Sequence, residues 1–276
     1  MYFEKEVITS RNNQFVKRAS SLNDKKNRKN ERYFLAEGVK LTREAFEAGL
    51  PVDYCVVSEN KKDSVISALG EVIHADKYAK TKFVTVSENV FEKISTEKAP
   101  QGVISVIKHL DFFRDMDIIY KEEFFLEPEE KAIFLFSLRD PSNLGAVIRS
   151  SVAFGIDHII LSDDCADIYN PKTIRSAMGS LFRVNVTTVK DVPAFITAAQ
   201  ANSRRVFAAE LTDRAVSLSD IDLLGTDIVI IGNEGHGIDA QVSKLCDNSV
   251  YIPISKKTES LNASVAAAIF MWEQSK

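Results

Sequence analysis

Residues 138–155, LRDPSNLGAVIRSSVAFG, place Asn143, Gly145 and Arg149 where an apolar run gives way to a helical pattern. Amide and guanidinium side chains can orient a ligand that carries hydroxyl or phosphate groups. A glycine at the start of a helix also suggests a nucleotide phosphate site, but the GxGxxG spacing of dinucleotide-binding enzymes is absent. The stretch therefore predicts a polar binding turn that is not a phosphate-cradling loop.

A second polar turn, IIGNEGHGI, occupies residues 230–238. Its glycine and polar residues are Gly232, Asn233, Glu234, Gly235, His236 and Gly237. Glycines at this density permit positive φ angles and let a ligand lie against the backbone, although a tight strand-to-helix turn uses them equally well. We interpret the histidine as a solvent-facing loop residue rather than a base.

A third turn places Ser260 and Asn262 before the Ala-rich segment ASVAAAIFMWE, residues 263–273. Either residue is an N-cap by default, but capping accounts for only one of the two. The segment itself is apolar on nearly every side, which is typical of a helix buried in a core or in a subunit interface.

Near-continuous apolar runs precede these turns and predict buried strands of a parallel sheet. The runs are residues 131–138, 158–162, 182–189, 205–211, 227–234 and 249–254. Helical segments separate most of them, so residues 131–276 predict an α/β domain. Ligands in such sheets bind beyond the carboxyl ends of the strands, which is where the three turns lie.

Residues 1–109 predict a smaller alternating α/β unit. Helices are expected within 11–22, 39–49, 61–70 and 87–96, and strands over 52–58, 71–75 and 102–109. Residues 110–130 are acidic and aromatic without a clean period. We interpret them as a connecting segment, partly helical and packed through its Phe residues.

Charge is unevenly distributed in this chain, whose formal net charge is −4. Residues 10–43 hold ten Lys or Arg against three acids, whereas 111–131 hold eight acids against three bases. The basic segment is either a solvated helix face or a surface for a nucleic-acid backbone. Its candidate RNA contacts are Lys17, Arg18, Lys25, Lys26, Arg28, Lys29 and Arg32.

The three cysteines are scattered and form no CxxC pair, so neither disulfides nor a metal site are expected. No apolar run reaches the roughly 18 residues of a membrane span. The first residues lack the basic-then-apolar order of a signal peptide. No membrane segment is expected, and the expected location is the cytoplasm, or an organelle that the protein reaches after processing.

Together the three turns resemble the signature motifs of the SpoU, or TrmH-like, RNA ribose 2′-O-methyltransferases of the SPOUT superfamily. The matching residues are Asn143, Gly145 and Arg149; Gly232, Glu234, Gly235 and Gly237; and Ile252, Pro253, Glu259, Ser260, Leu261 and Asn262. The resemblance covers residues 131–276. Residues 8–22 and 32–46 also resemble the family's small ribosomal-protein-like substrate-binding domain.

The resemblance implies a deep trefoil knot that binds S-adenosylmethionine, which has no phosphates and therefore needs no phosphate loop. The implied cofactor-binding residues are Leu211, Gly232, Asn233, Glu234, Gly235, Ile252, Ile254, Leu261 and Asn262. The implied catalytic residues are Arg149, Asn143, Ser260, Asn262 and Glu234. Capping or turn chemistry is the alternative for each of them. For Arg149 we favour electrostatic help, because a guanidinium is essentially always protonated and is a poor base.

The resemblance further implies a homodimer that methylates RNA, with ribosomal RNA favoured over tRNA. A non-catalytic RNA-binding assembly factor of the same fold is a second possibility. A nucleotide-cofactor enzyme such as a dehydrogenase is a third, which the missing GxGxxG opposes.

Overall fold

A computed structural model describes residues 2–3, 6–78, 81–110, 113–116 and 124–276. Within these residues the strands are β1 (Tyr2–Phe3), β2 (Tyr33–Glu37), β3 (Val52–Ser58), β4 (Lys82–Val86), β5 (Val103–Lys108), β6 (Phe113–Met116), β7 (Ala132–Leu135), β8 (His158–Ser162), β9 (Asn185–Val189), β10 (Val206–Ala209), β11 (Val216–Ser217), β12 (Ile228–Ile231) and β13 (Asn248–Tyr251). The α-helices are α1 (Gln14–Ser21), α2 (Lys25–Glu31), α3 (Val39–Glu47), α4 (Lys62–Leu69), α5 (Glu88–Ile94), α6 (Pro141–Ala153), α7 (Pro171–Ala177), α8 (Val192–Ala201), α9 (Ala240–Leu245) and α10 (Ala263–Gln274).

Contacts divide the chain into two units, one of which is discontinuous in sequence. The first unit comprises Met1–Leu110 and Asp167–Phe182, and the second comprises Asp111–Ala166 and Arg183–Lys276. The segment Asp167–Phe182 joins β8 to β9, yet its Tyr169 ring lies 4.8 Å from the ring of Phe34 on β2. The linear division predicted from the sequence differs from this grouping at that segment.

The first unit contains a five-stranded sheet in the order β1-β4-β3-β5-β2. The strand predicted over 52–58 and the helices predicted around α1, α3, α4 and α5 are confirmed. The strand predicted over 71–75 is wrong, because residues Gly70–His74 form a 3₁₀ helix that starts at a positive φ of 59°. The place beside β3 is taken by β4, which the sequence analysis did not predict.

The second unit contains an eight-stranded sheet in the order β11-β13-β10-β12-β7-β8-β9-β6, and every pairing in it is parallel. All six apolar runs predicted as strands form strands. They read as continuous apolar runs because both faces are covered, with Phe134, Ile160 and Ile230 inaccessible to solvent. The predicted α/β class with a parallel sheet is confirmed.

The acidic segment 110–130 contributes an edge strand rather than a helix in the part that the structure describes. Strand β6 pairs in parallel with β9, which corrects the partly helical interpretation for those four residues. Residues 111–112 and 117–123 of that prediction lie outside the described residues. The expected packing through phenylalanines holds, since the rings of Phe124 and Phe125 pack in tilted orientations against Phe195, at 5.8 and 6.0 Å between ring centroids.

Helix α10 is buried on one face only. Ala267, Phe270 and Met271 are inaccessible, whereas the side chains of Val265 and Trp272 are exposed. The helix packs on α6, where the Trp272 ring meets Phe154 edge-on at 5.9 Å. The expectation of burial on every side is therefore not met within one chain.

Candidate active site

Four neighbouring strand ends form the edge of the sheet that carries the candidate site. The register pairs Leu135 of β7 with Ile231 of β12, Ile231 with Ala209 of β10, and Ala209 with Val250 of β13. Because the strands are parallel and in register, the residues that follow them lie along one edge. The three predicted turns occupy that edge.

The first turn is fixed by capping. Asp140 is the N-cap of α6, and its carboxylate accepts hydrogen bonds from the N–H groups of Ser142 at 2.7 Å and Asn143 at 3.0 Å. Pro141 occupies the first helical position, where its lack of an N–H is harmless. These bonds hold the first turn of the helix, and with it the amide side chain of Asn143.

Side-chain hydrogen bonds join the three turns. Asn143 donates from Nδ2 to the Glu234 carboxylate, and Asn262 donates from Nδ2 to Oδ1 of Asn143 at 3.1 Å. Asn262 also caps α10 by accepting a bond from the N–H of Ser264 at 2.9 Å. We call Asn143, Glu234 and Asn262 the polar triplet; it contains one residue from each motif. Capping is thus only part of what Asn262 does.

The second turn is tight and leaves no space for a side chain at its start. A Cβ on Gly232 would lie 2.6 Å from the carbonyl carbon of Gly237 and 2.8 Å from its oxygen. Asn233 fixes the turn: its Oδ1 accepts from the N–H of Gly235 at 2.8 Å, and its Nδ2 donates to the carbonyl of Ser137 at 2.8 Å. Gly232 is therefore required by close backbone approach, whereas Gly237 is favoured by its positive φ of 67°.

Arg149 is exposed on α6 and is not brought into the polar triplet. Six residues separate it from Asn143, which is about 9 Å along a helix and one and two-thirds turns around it. Its side chain makes no hydrogen bond or ion pair with any described residue. The catalytic role of Arg149, electrostatic stabilisation of the reacting hydroxyl, stays a prediction.

The remaining predicted site residues present unpaired polar and apolar surface at the same edge. Ser260 is exposed, and its one hydrogen bond to the described part of the chain is accepted by its carbonyl from Oγ1 of Thr258 at 3.2 Å. Leu211 is 78% exposed and Ile254 is also exposed, while Ile252 and Leu261 are half-buried. Large exposed apolar side chains beyond a sheet edge offer a surface that a ligand can cover.

The basic segment contains one buried arginine. Arg28 is 3% exposed and donates to the Asp167 carboxylate at 2.7 and 3.2 Å, and to the carbonyls of Leu22 and Asn23 at 2.8 Å each. Its inclusion among the candidate RNA contacts is therefore corrected: it holds α2 to the rest of its unit. Helix α2 has no apolar residue, so the buried aliphatic part of the Arg28 side chain packs the helix against its unit instead.

The other basic residues predicted to contact RNA differ in their solvent exposure and ion pairing. Arg18 is half-buried and pairs with Glu31 at 3.0 Å and Asp53 at 2.5 Å. The remaining five are exposed: Lys17, Lys25, Lys26, Lys29 and Arg32. An RNA surface on this unit would therefore depend on these five side chains.

We expect Arg28→Ala to lower the free energy of unfolding by about 3 kcal/mol, because it leaves the Asp167 carboxylate and two carbonyls without their partner. Chemical denaturation checks this. Lys29→Ala, on the same helix but exposed, is the matched control and should change stability by less than about 0.5 kcal/mol. Equal stability of the two variants would contradict the structural role.

The sequence analysis missed a cluster at the end of β8. Ser137, Ser162 and Asp164 are joined by hydrogen bonds of 2.5 to 2.8 Å beside the first turn. The signal was the polar stretch SDD directly after a buried strand at the carboxyl edge. Among the described residues, no group of His, Cys, Asp and Glu side chains is arranged to hold a metal ion, and no helix is long and apolar enough to cross a membrane.

A parallel α/β sheet with closely packed, side-chain-linked turns at its carboxyl edge defines an α/β domain of the ligand-binding class. The chain belongs to the SpoU rRNA methylase family, whose family profile matches residues 130–272. A second profile, the MRM3-like substrate binding domain, matches residues 13–105.

Known relatives match along nearly the whole chain. The 23S rRNA (guanosine(2553)-2′-O)-methyltransferase RlmP of Bacillus subtilis strain 168 is 30% identical, with 96% of this chain and 97% of that protein covered. A 23S rRNA (uridine(2479)-2′-O)-methyltransferase of Streptomyces viridochromogenes is 28% identical, with 96% and 90% covered. The crystal structure of an AdoMet-bound rRNA methyltransferase from Sinorhizobium meliloti superposes with a TM-score of 0.79 at 26% identity, covering 98% of this chain and 97% of that one.

Proposed function

We propose that this protein transfers a methyl group from S-adenosylmethionine to a ribose 2′-hydroxyl of ribosomal RNA. The observation that carries the proposal is the polar triplet, because it links all three SpoU motifs at the carboxyl edge of the sheet. Such a linked edge positions a cofactor and a hydroxyl substrate together.

The residues at this edge fit S-adenosylmethionine. Leu211 and Ile254 expose apolar side chains after neighbouring strands, which suits the flat face of an adenine. Gly232 lets its backbone approach that of Gly237. Main chain that is not covered by side chains can contact a cofactor that has no phosphates. Asn233, Gly235, Ile252 and Leu261 would complete the lining. The cofactor supplies an electrophilic methyl group on a positively charged sulfur.

The protein's own residues would prepare the acceptor hydroxyl, which is a poor nucleophile at neutral pH. Arg149 would stabilise the developing alkoxide and an adjacent phosphate, since its charge is permanent. Asn143 and Asn262 would orient the ribose. Glu234, bonded to Asn143, would hold that amide in place, and Ser260 would bind the hydroxyl or the cofactor carboxylate. The proton would leave to the phosphate or to water.

We further assign substrate recruitment to residues 1–109, catalysis to 131–276, and a connecting role to 110–130. After β13 at one side of the sheet, the chain must pass beyond β10 and β12 to reach α10, which packs on α6. A deep trefoil knot, which the family resemblance implies, would further require this segment to thread through a loop of the chain. A cytoplasmic location remains a prediction.

The exposed face of α10 supports a homodimer. Trp272 is 53% exposed and Val265 is exposed beside it, on a helix whose sequence is apolar nearly all round. We expect Trp272→Asp to shift the protein from dimer to monomer in analytical ultracentrifugation, because a charge would be buried in the interface. A wild-type protein that sediments as a monomer would contradict the dimer.

The exposed lysines of α2 would bind the RNA backbone. We expect the triple variant Lys25→Ala, Lys26→Ala, Lys29→Ala to bind RNA about tenfold more weakly. The slope of the logarithm of the association constant against the logarithm of the salt concentration should fall in magnitude by about 2. Filter binding over a salt series measures both quantities.

A matched triple variant controls for net charge. Lys93, Lys98 and Lys108 are exposed in the same unit, and their replacement by Ala should leave the salt slope unchanged. An unchanged slope in the first variant would move the RNA surface elsewhere. Arg28 stays intact in both variants because of its buried ion pair.

Ribose-methylation mapping of ribosomal and transfer RNA from cells with and without the protein tests the substrate. Loss of one 23S rRNA methylation supports the proposal, and loss confined to tRNA would replace it by the tRNA alternative. Relatives at 30% and 28% identity are named for a guanosine and a uridine, so the modified base does not follow from the family. RNA binding without S-adenosylmethionine binding in calorimetry would indicate a non-catalytic assembly factor.

A further inference from the structure

Arg139 lies at the surface of the first turn, between β7 and the N-cap of α6. Its side chain is 70% exposed, and its hydrogen bond among the described residues runs from Nη2 to Oδ2 of Asp164 at 3.2 Å. A guanidinium has five N–H donors in a planar fork, so this bond leaves most of them available to an anion.

The carboxylate that holds Arg139 is itself fixed. Ser162 donates from Oγ to Oδ1 of Asp164 at 2.7 Å, and Ser137 donates from Oγ to Oδ2 at 2.5 Å. Burial alone would raise the pKa of Asp164, but the hydrogen bonds from Ser137, Ser162 and Arg139 outweigh it and hold that pKa below its usual value. Asp164 is therefore a charged and rigid anchor at neutral pH.

The backbone before Arg139 is fixed as well. The N–H of Leu138 donates to Sγ of Cys165 at 3.3 Å, and the Leu138 carbonyl accepts from the N–H of Ala166 at 2.8 Å. Burial raises the pKa of the Cys165 thiol to about 11, so it stays protonated and donates to the carbonyl of Leu135 at 3.2 Å. On the other side of Arg139, Asp140 is held in place as the N-cap of α6.

Ser137 adopts an unfavourable conformation that this network maintains. Its φ is 53°, in the left-handed region that residues other than glycine rarely adopt. Its N–H donates to Oγ of Ser162 at 2.8 Å, and its carbonyl accepts from Asn233 of the second turn at 2.8 Å. Strain held by surrounding bonds is typical of functional turns.

We propose that Arg139 binds a phosphate group of the RNA substrate at the edge of the candidate active site, and that Asp164 orients its guanidinium for this contact. The inference rests on the RNA substrate of the proposed function. An ion pair this exposed contributes little to folding, so stability does not explain why two serines and a rigid turn hold it. A guanidinium forms paired hydrogen bonds to a phosphate group. Such contacts fix the position of an RNA strand on the protein without reading its bases.

The test uses the whole chain and 23S ribosomal RNA isolated from cells that lack this protein, so that the target ribose is not yet methylated. We expect Arg139→Gln to raise the dissociation constant for this RNA about tenfold, as loss of one charged hydrogen-bonded contact does. The salt slope should fall by about 1. Affinity for S-adenosylmethionine should not change. Asp164→Asn, which keeps the arginine but loosens it, should give a smaller rise with an unchanged salt slope.

The matched control is Arg183→Gln, since Arg183 is an exposed arginine of the same unit that precedes β9 at the opposite edge. It should alter neither quantity. An unchanged dissociation constant and slope in Arg139→Gln would overturn the inference while the wild-type protein still methylates the RNA. A parallel loss of S-adenosylmethionine affinity would also overturn it, because Arg139 would then shape the cofactor turn. A wild-type protein unable to methylate this RNA would instead refute the proposed function.

Discussion

Arg149→Ala should reduce methyl transfer by about 10³-fold, the scale of losing one group that stabilises developing charge in a transition state. Binding of S-adenosylmethionine and the melting temperature should stay at wild-type values, because the Arg149 side chain is exposed and makes no hydrogen bond or ion pair with the described residues. Single-turnover assays with radiolabelled cofactor, calorimetry and thermal unfolding measure the three quantities.

Arg149→Lys separates the two roles that an arginine could have here. Lysine keeps the charge but loses the paired donors, so an electrostatic role predicts partial activity. That activity should decline as the pH rises through the lysine pKa, near 10.4. If Arg149 were the base, the lysine variant would instead gain activity as it deprotonates. Wild-type turnover in Arg149→Ala would refute both roles.

Gly232→Ala should weaken S-adenosylmethionine binding by about 10- to 100-fold, the scale of an overpacked site. The new methyl group would lie 2.6 Å from the backbone of Gly237 and 2.8 Å from Cγ1 of Ile238. Backbone cannot rotate away as a flexible side chain does, so the turn between β12 and α9 must shift. Calorimetric titration with the cofactor measures the effect.

Gly225→Ala is the matched control, because its Cβ would meet only the flexible end of Lys131. It precedes β12, at the end of the strand away from the site. Cofactor affinity should be unchanged in this variant. Wild-type affinity in Gly232→Ala would mean that the second turn does not contact the cofactor.

Strands buried on both faces could be predicted from the sequence, and locally ambiguous segments could not. The runs around β7, β8 and β12 are apolar throughout because helices cover both faces of the sheet. Residues 71–75 have the same local character, but a strand also needs a neighbour to pair with, and β4 takes that position. Pairing is a property of the whole chain, so residue type alone does not decide it.

The candidate site was predictable to the extent that its residues follow strands. Asn143, Glu234 and Asn262 come after strands that lie side by side, and the structure brings their side chains together. Arg28 and Lys29 are adjacent and chemically alike, yet only Arg28 is buried. Its partner Asp167 lies 139 positions further along the chain, and no local pattern indicates such a pairing.

The discontinuous first unit limits how the molecule can be dissected or recombined. Asp167–Phe182 lies by sequence within the part that matches the SpoU methylase profile, but Asp167 pairs with Arg28, and the Tyr169 hydroxyl accepts a bond from the N–H of Leu110 at 2.9 Å. A fragment that starts at residue 131 would carry this segment without the surface that buries it. A chimera that exchanges substrate recognition between relatives must therefore transplant two separate pieces of chain, and selection on either piece acts on both.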